Sequence, residues 1–299
     1  MTAVKRFFLD RSGFEIALGL IAIIYLMALV GLPFLFNVLM SFQDVNMMNL
    51  AQLDRPFVGF RNYINVFEDR NFWLVVSNTA VFLGLSTAIQ LLLGLLLALL
   101  FNQNFPGASY MRGLFLAAWI TPTFATGQIW KWMLAGDSGV LNYGLENLGL
   151  ISGPVYWLSD HALALYSIIG VNVWLGVPYY MLLISVALAA IPKDLYEAAA
   201  LDGAGPVMRF FTITLPLLRS TLLALVALGM ILTLQQFDLI ASMTGGGPIN
   251  RTNVLQYWSW QLSFQSYDLS SGSAVAALLL VVVVGIAATY VVATRSESN

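Results

Sequence analysis

The chain has 299 residues, of which 59% are hydrophobic and 9% charged, and its mean hydropathy is +0.81. Soluble domains carry about 25% charged residues, so this composition excludes a soluble fold. Thirteen basic against 15 acidic residues give no electrostatic basis for binding nucleic acid, and without cysteine and with one histidine the chain can form neither disulfides nor a cysteine–histidine zinc site.

Six apolar segments are long enough to cross a bilayer as helices, which takes about 20 residues because lipid offers the backbone no hydrogen-bond partner. In chain order they are residues 16–39, 73–100, 114–133, 163–190, 221–241 and 274–293. The first is too long for the apolar core of a signal peptide and is predicted to remain as an anchor. The predicted fold is therefore all-α: a polytopic membrane protein with six transmembrane helices.

Six crossings put both termini on one side, and the basic residues favour the cytoplasm for that side. With the N-terminus inside, eight basic residues face the cytoplasm and five face outward. The cytoplasmic ones are Lys5, Arg6, Arg11, Arg112, Lys193, Arg209, Arg219 and Arg295. The outer ones are Arg55, Arg61, Arg70, Lys131 and Arg251. Both termini are accordingly predicted to be cytoplasmic.

The segment between the fourth and fifth predicted spans, residues 191–219, has the pattern of a docking element. Pro192 suits the start of a short helix, and Gly203 suits the left-handed residue that ends one. Pro206 starts a second short helix, which Pro216 is predicted to break before the next span. Two short helices are therefore expected to cross on the cytoplasmic surface.

The same segment contains E-A-A-x-x-D-G-A, followed by F-x-x-I-x-L-P. This long signature resembles the coupling loop of binding-protein-dependent ABC importer permeases, in which the loop fits a groove on a separate ATP-binding subunit. The resemblance implies the type I ABC importer permease fold. It also implies that coupling to the ATPase falls on seven residues: Glu197, Ala198, Ala199, Asp202, Gly203, Ala204 and Phe211.

Other stretches are similar to the sugar permeases of that family: G-F-R-N-Y at 59–63, N-V-W-L-G-V-P-Y at 172–179 and T-G-G-G-P at 244–248. Together they resemble the maltose-type permease subunit and its relatives for trehalose, other oligosaccharides and glycerol 3-phosphate, over essentially the whole chain. The implied division is an N-terminal cytoplasmic segment, first helix and external loop (1–72), a type-1 core of five helices (73–294) that contains the 191–219 coupling loop, and a cytoplasmic tail (295–299).

A path for a polar solute needs polar groups that face inward from the membrane helices. Thr233 and Gln236 are three residues apart, so they are predicted to share a helix face with Gly229. The resemblance to the maltose-type sugar site implies eight lining positions, although contacts between helices are the alternative role for each. These are Trp119, Thr123, Asn172, Gly176, Tyr179, Gly229, Thr233 and Gln236.

Three further polar residues are assigned other roles. The carboxylate of Asp238 is expected at the outer rim of its span, where water hydrates it. The side-chain amides of Asn78 and Gln90 are assigned to hydrogen bonds between helices.

The sequence contains no G-x-x-x-x-G-K-[ST] motif, so the chain is not expected to hydrolyse ATP or to act as an enzyme. No cofactor and no metal site are predicted in it. The resemblance implies that ATP and Mg²⁺ bind to two separate ATP-binding subunits. It also implies a second homologous permease subunit that forms a heterodimer, an extracytoplasmic solute-binding protein, surrounding lipid, and a place in the bacterial cytoplasmic (inner) membrane.

The predicted function is the permease subunit of an ATP-driven importer for a sugar or sugar-like solute. An ion-coupled secondary transporter is the alternative, but intramembrane carboxylates or broken helices in paired halves, typical of that class, are not evident in the sequence. A membrane-embedded enzyme is a third possibility, but it would need a convergent set of acid–base or metal-binding residues near the membrane interface, and the sequence shows none. Disaccharides, oligosaccharides, amino sugars and glycerol phosphodiesters all stay open, and the scarcity of arginine and lysine in the spans favours a neutral sugar.

Overall fold

The computed structural model describes residues 11–52, 54–103 and 105–295. Lys5, Arg6 and the predicted tail beyond Arg295 lie outside the described residues. The described residues form helices joined by turns, with one isolated bridge between Gln43 and Phe57. The helices are α1 (Arg11–Leu26), α2 (Leu32–Met40), α3 (Arg61–Glu68), α4 (Phe72–Phe101), α5 (Ala108–Ile120), α6 (Thr123–Met133), α7 (Val140–Asn147), α8 (Ala164–Ala189), α9 (Lys193–Leu201), α10 (Pro206–Arg209), α11 (Leu215–Leu234), α12 (Phe237–Met243), α13 (Leu255–Trp260) and α14 (Leu269–Arg295).

Among the described residues, five helical stretches are long and apolar enough to cross a membrane. They are Gly13–Met40, Phe72–Phe101, Ala164–Ala189, Pro206–Leu234 and Leu269–Thr294. Each of the five overlaps a predicted span. The first and fourth of these stretches each include a π-helical turn, at Met27–Gly31 and Phe210–Thr214 respectively.

The remaining predicted span, residues 114–133, is not one helix. It is divided into α5 and α6, with Thr121 and Pro122 extended between them at ψ 133° and 130°. Pro122 has no N–H to donate, and its ring disfavours the helical conformation at the residue before it. A continuous third helix was therefore a wrong prediction, and the number of crossings stays a prediction.

The predicted break at Pro216 is also wrong, because Pro206–Leu234 is one continuous helical stretch. The π-helical turn Phe210–Thr214 is closed by the N–H of Leu215, which donates to the carbonyl of Phe210. Pro216 then lies in the first turn of α11, where its fixed φ suits the helix and its missing N–H leaves a gap in the backbone ladder next to the π-helical turn. At its other end this span stops at Leu234, short of the predicted residue 241.

The chain forms two compact units. The first comprises Met1–Glu68 and Ser259–Leu278, and the second comprises Asp69–Trp258 and Leu279–Asn299. In the first unit, the N–H of Val45 donates to Oγ of Ser270 at 2.7 Å, and that hydroxyl donates to the carbonyl of Gln43 at 3.0 Å. Asn62 donates to the carbonyls of Ser41 and Gln43, both at 2.9 Å. The segment that follows α2 is thereby held by buried polar contacts.

In the second unit, α4 and α8 pack closely along their length. A Cβ at Gly94 of α4 would lie 3.1 Å from the backbone N of Met181 on α8, and closer still to Cβ of Tyr180. Tyr180 and Met181 are 1% and 0% exposed. They belong to a buried apolar cluster formed by Ala98, Phe101, Tyr180, Met181, Ile184, Leu188, Leu218 and Leu225. This cluster is the core of the helical bundle that carries the site.

Asn78 does not join two helices, contrary to the prediction. Its side-chain amide donates to the backbone carbonyls of Asn250 and Asn253, at 2.9 and 3.0 Å. One residue later, the hydroxyl of Thr79 accepts from the N–H of Leu255 at 2.9 Å. The end of α4 therefore fixes the turn that follows the T-G-G-G-P stretch.

Candidate functional site

A cavity of about 350 Å³ opens among the helices of the second unit. Helices α4, α5, α6, α8, α11 and α12 each contribute side chains to its wall. The lining residues are Gln90, Trp119, Thr123, Asn172, Leu175, Gly176, Tyr179, Tyr180, Gly229, Leu232, Thr233, Gln235, Gln236 and Asp238. All eight positions that the sequence predicts for the solute path are among them.

Two interruptions of helical structure meet at this cavity. Trp119 and Thr123 flank the break between α5 and α6, and Gln235 and Gln236 form the break between α11 and α12. Because lipid cannot solvate free backbone groups, such breaks occur at membrane depth where they are buried or line a cavity. Broken helices are thus present, although they were not evident in the sequence. Thr233 and Gln236 line one wall without sharing a helix face, since α11 ends between them.

The short helices that follow the two breaks are packed against each other. A Cβ at Gly127 of α6 would collide with the side chain of Ser242 on α12. The amide of Gln128 also donates to the carbonyl of Ser242 at 3.2 Å. We refer to α6 and α12 together as the half-helix pair.

The cavity wall contains an amide group with unused hydrogen-bonding capacity. Asn172 is 1% exposed, and its Nδ2 has no hydrogen-bond partner in the described part of the chain. Its backbone carbonyl accepts from Nε2 of Gln90 at 2.7 Å. Buried polar groups are nearly always paired, because an unpaired one costs free energy. The amide of Asn172 is therefore a donor in the cavity wall that the described residues leave unsatisfied.

Two aromatic rings form an apolar part of the same wall. The ring centroids of Trp119 and Tyr179 are 5.7 Å apart, with 35° between the planes. Trp119 is 46% exposed, so one face of its indole stays available. Aromatic faces beside amides and hydroxyls suit a guest that has both apolar surface and hydrogen-bonding groups.

The charge on the cavity lining is negative. Asp238, in the first turn of α12, is the carboxylate among the lining residues, and no lysine, arginine or histidine lines the cavity. Its side chain is exposed, which agrees with a hydrated position, and it borders the cavity itself. An anionic guest would meet repulsion here without a compensating cation.

Two of the predicted positions also serve close packing. A Cβ at Gly176 would collide with the amide of Gln90, and a Cβ at Gly229 would lie 2.6 Å from Cζ of Tyr180. Gln90, assigned in the sequence to a bond between helices, makes that bond and also lines the cavity. The sequence around Gln90 is apolar and carries no signal that its amide both joins two helices and lines a cavity.

The coupling segment forms a helical hairpin at the end of α8. After α9, Gly203 adopts φ +82°, and the N–H of Ala204 donates to the carbonyl of Ala199 at 2.9 Å. The N–H of Gly203 also bonds to Ala200 at 3.1 Å, so both bonds of a left-handed glycine cap are made. Of the seven predicted coupling residues, Ala199 and Ala204 are half-buried. The exposed ones are Glu197, Ala198, Asp202, Gly203 and Phe211.

Comparison with known proteins agrees with this architecture. Residues 90–298 match the family described as "Binding-protein-dependent transport system inner membrane component". The chain is 37% identical, over 240 residues and 79% of both chains, to the trehalose/maltose transport system permease protein MalF of Thermococcus litoralis. It is 32% identical over 265 residues to the diacetylchitobiose uptake system permease protein DasB of Streptomyces coelicolor, covering 88% of this chain and 80% of the relative.

Among solved structures, the fold is similar to a chain of a bacterial ABC transporter involved in the import of the acidic polysaccharide alginate. The TM-score is 0.83 at 22% identity, and the match covers 97% of this chain and 98% of the other. The all-α permease fold predicted from the sequence is thereby confirmed. Since the family match extends over well more than half of the chain, the protein belongs to the binding-protein-dependent transport system inner membrane components, the permeases of ABC importers.

Proposed function

We propose that this permease forms part of the passage for a neutral disaccharide or oligosaccharide in an ATP-driven importer. The observation that carries the proposal is the cavity wall, in which the unpaired amide of Asn172 and the hydroxyl of Thr233 line the same cavity as the rings of Trp119 and Tyr179. Amides and hydroxyls can hydrogen-bond to sugar hydroxyl groups, and aromatic faces can stack on the apolar faces of a sugar ring.

The names of the relatives support the saccharide class. The two relatives named above act in transport of trehalose or maltose and of diacetylchitobiose, and a third is the sulfoquinovosyl glycerol transport system permease protein SmoG of Agrobacterium fabrum, at 35% identity over 245 residues. These solutes share glycosidic chemistry but differ in charge. The absence of a lining cation around the cavity, together with Asp238, favours a neutral solute or an amino sugar over an acidic or phosphorylated one.

The exposed hairpin supports the proposed coupling to ATP. Glu197 and Ala198 of α9, and Phe211 beyond it, leave an exposed surface for a partner. We infer that this surface docks on one of two ATP-binding subunits, which carry the ATP and Mg²⁺ that this chain does not bind. A second, homologous permease subunit completes the passage as a heterodimer, and an extracytoplasmic binding protein delivers the solute.

The topology that goes with this function has six crossings. In it, α5 and α6 together form the third crossing despite the break at Pro122, and both termini lie in the cytoplasm. The proposed core remains 73–294, preceded by the 1–72 anchor and loop and followed by the 295–299 tail. The continuous helical stretches in the described residues support five of these crossings.

The experiment that tests the function uses the complete importer reconstituted in lipid vesicles with its two ATP-binding subunits. We expect uptake of a neutral disaccharide to require both internal ATP and the loaded binding protein, and to persist when ion gradients are collapsed with ionophores. A glucuronic-acid-containing disaccharide offered in parallel should not be taken up. Uptake that survives ATP depletion but fails without an ion gradient would contradict the proposal and favour a secondary transporter.

A change of Asn172 to leucine tests the cavity itself. The substitution keeps the branched shape and the number of heavy atoms but removes the donor. We therefore expect the initial uptake rate at saturating loaded binding protein to fall about tenfold, the effect of one or two lost hydrogen bonds. ATP hydrolysis stimulated by the binding protein should be retained. Ser185→Ala is the control on the same helix, because the hydroxyl of Ser185 donates within α8, to the carbonyl of Met181 at 2.7 Å. Equal uptake by Asn172→Leu and the control would argue against a role in the passage.

A further inference from the structure

Helix α9 of the coupling hairpin has two different faces. Leu195 and Leu201 are 44% and 90% exposed, and Glu197 is exposed as well. Tyr196 and Ala199, three residues apart and so on one side of the helix, are half-buried against the rest of the chain. The face that a partner subunit could touch is therefore distinct from the face that contacts the permease's own helices.

The buried face of α9 is joined to the base of the fifth predicted span by a side-chain hydrogen bond. The hydroxyls of Tyr196 and Thr214 lie 2.9 Å apart, and Thr214 is 5% exposed. The bond is partly buried, and the burial of Thr214 limits the competition of water for it. This contact spans 18 residues of sequence and closes the hairpin on itself.

Thr214 is also the last residue of the π-helical turn Phe210–Thr214. A π-helical turn holds one extra residue, and Pro216, two residues after its end, has no N–H to contribute to the backbone ladder. Bends in helices concentrate at such turns and at prolines. Without a contact that serves as a brace between α9 and this turn, displacement of α9 would bend the helix at the turn and would not move α11.

We propose that the Tyr196–Thr214 hydrogen bond is this brace: it positions α9 on the π-helical turn so that displacement of the hairpin moves α11, and with it the cavity wall that carries Gly229 and Thr233. This inference rests on the proposed docking of the hairpin on an ATP-binding subunit. Tyr196 and Thr214 act as positioning residues that touch neither solute nor nucleotide. Loss of their hydrogen bond uncouples ATP hydrolysis from solute movement, while the cavity and the docking surface of the hairpin both stay intact.

The test is Tyr196→Phe in the complete reconstituted importer, with uptake and ATP hydrolysis measured in the same vesicles. We expect the amount of solute taken up per ATP hydrolysed to fall about fivefold, the factor that the net effect of one hydrogen bond represents. ATP hydrolysis stimulated by the loaded binding protein should persist. Thr214→Val should give the same loss, Thr214→Ser should restore the wild-type ratio, and the double variant should be no worse than either single one, because both remove the same bond.

Thr212→Val is the matched control in the same turn. Thr212 is exposed, and its hydroxyl donates within the helix to the carbonyl of Met208 at 2.8 Å, so its loss should leave the ratio unchanged. The brace is ruled out if Tyr196→Phe and Thr214→Val keep the wild-type ratio, or if Thr212→Val lowers it equally. Failure of the proposed function would look different, since the wild-type permease would then not assemble with the ATP-binding subunits.

Discussion

Replacing Gly94 with valine is expected to destabilise the permease more than any other single change considered above. The new side chain would be forced against the backbone of Tyr180 and Met181 on α8, where even a Cβ would lie 3.2 Å from the carbonyl carbon of Tyr180. Backbone cannot rotate out of the way as a side chain does, so α4 and α8 must separate. Overpacking of this kind costs about 1–3 kcal/mol, and a valine at a backbone contact belongs at the upper end.

The measurement is thermal unfolding of the purified permease in detergent, followed by the loss of monodisperse protein. The midpoint should fall by about 6–10 °C for Gly94→Val. Gly84→Val is the matched control, because Gly84 lies on the same helix and a Cβ there meets no atom within 4 Å. It should leave the midpoint nearly unchanged. Equal midpoints for the two variants would show that contact between α4 and α8 does not limit stability.

Replacing Gly203 with valine is expected to abolish most coupling without disturbing the membrane core. Gly203 has φ +82°, and no atom lies within 4 Å of the place its Cβ would take, so the whole cost comes from backbone conformation. An L-residue in the left-handed region costs about 1–2 kcal/mol, and more when it is β-branched. The hairpin would relieve that strain by giving up its cap. Binding of the ATP-binding subunits, and with it uptake, should then weaken by at least about tenfold.

Gly205→Val provides the comparison two residues further on. Gly205 has φ −71° and ψ 169°, open space around its Cβ position and a proline after it, all of which a valine accepts. Co-purification of the ATP-binding subunits and solute uptake should both survive this change. Should Gly203→Val assemble and transport as well as Gly205→Val, the capped hairpin is not the docking element. Thermal unfolding of the permease alone should be similar for both.

Three prolines illustrate which parts of the fold could be predicted from the sequence. Hydropathy located the membrane helices because lipid imposes a minimum apolar length. It could not tell that Pro178 would sit inside a continuous α8, that Pro216 would follow a π-helical turn, or that Pro122 would divide a helix. The outcome for each depends on whether neighbouring groups compensate for the missing N–H. Those neighbours are set by packing, which a single sequence does not reveal.

The cavity was predictable to a similar degree. Its eight expected residues are drawn from three regions of the chain, and resemblance to a family relates such distant positions where periodicity within one helix cannot. Thr233 and Gln236 both line the cavity, but the prediction that they share a helix face was wrong. The helix ends at Leu234, and the turn after it brings Gln236 to the wall. Gln90 was assigned to packing alone, because its second contact depends on the distance between α4 and α8.

The half-helix pair has a consequence for how the cavity can be altered. Thr123 lies at the start of α6 and Asp238 in the first turn of α12, so two of the residues that line the cavity sit on short helices that follow breaks in the backbone. Exchanges at these positions alter the shape and charge of the wall while the α4–α8 core keeps its packing. We therefore expect that changes to the cavity at these two positions carry little penalty in folding.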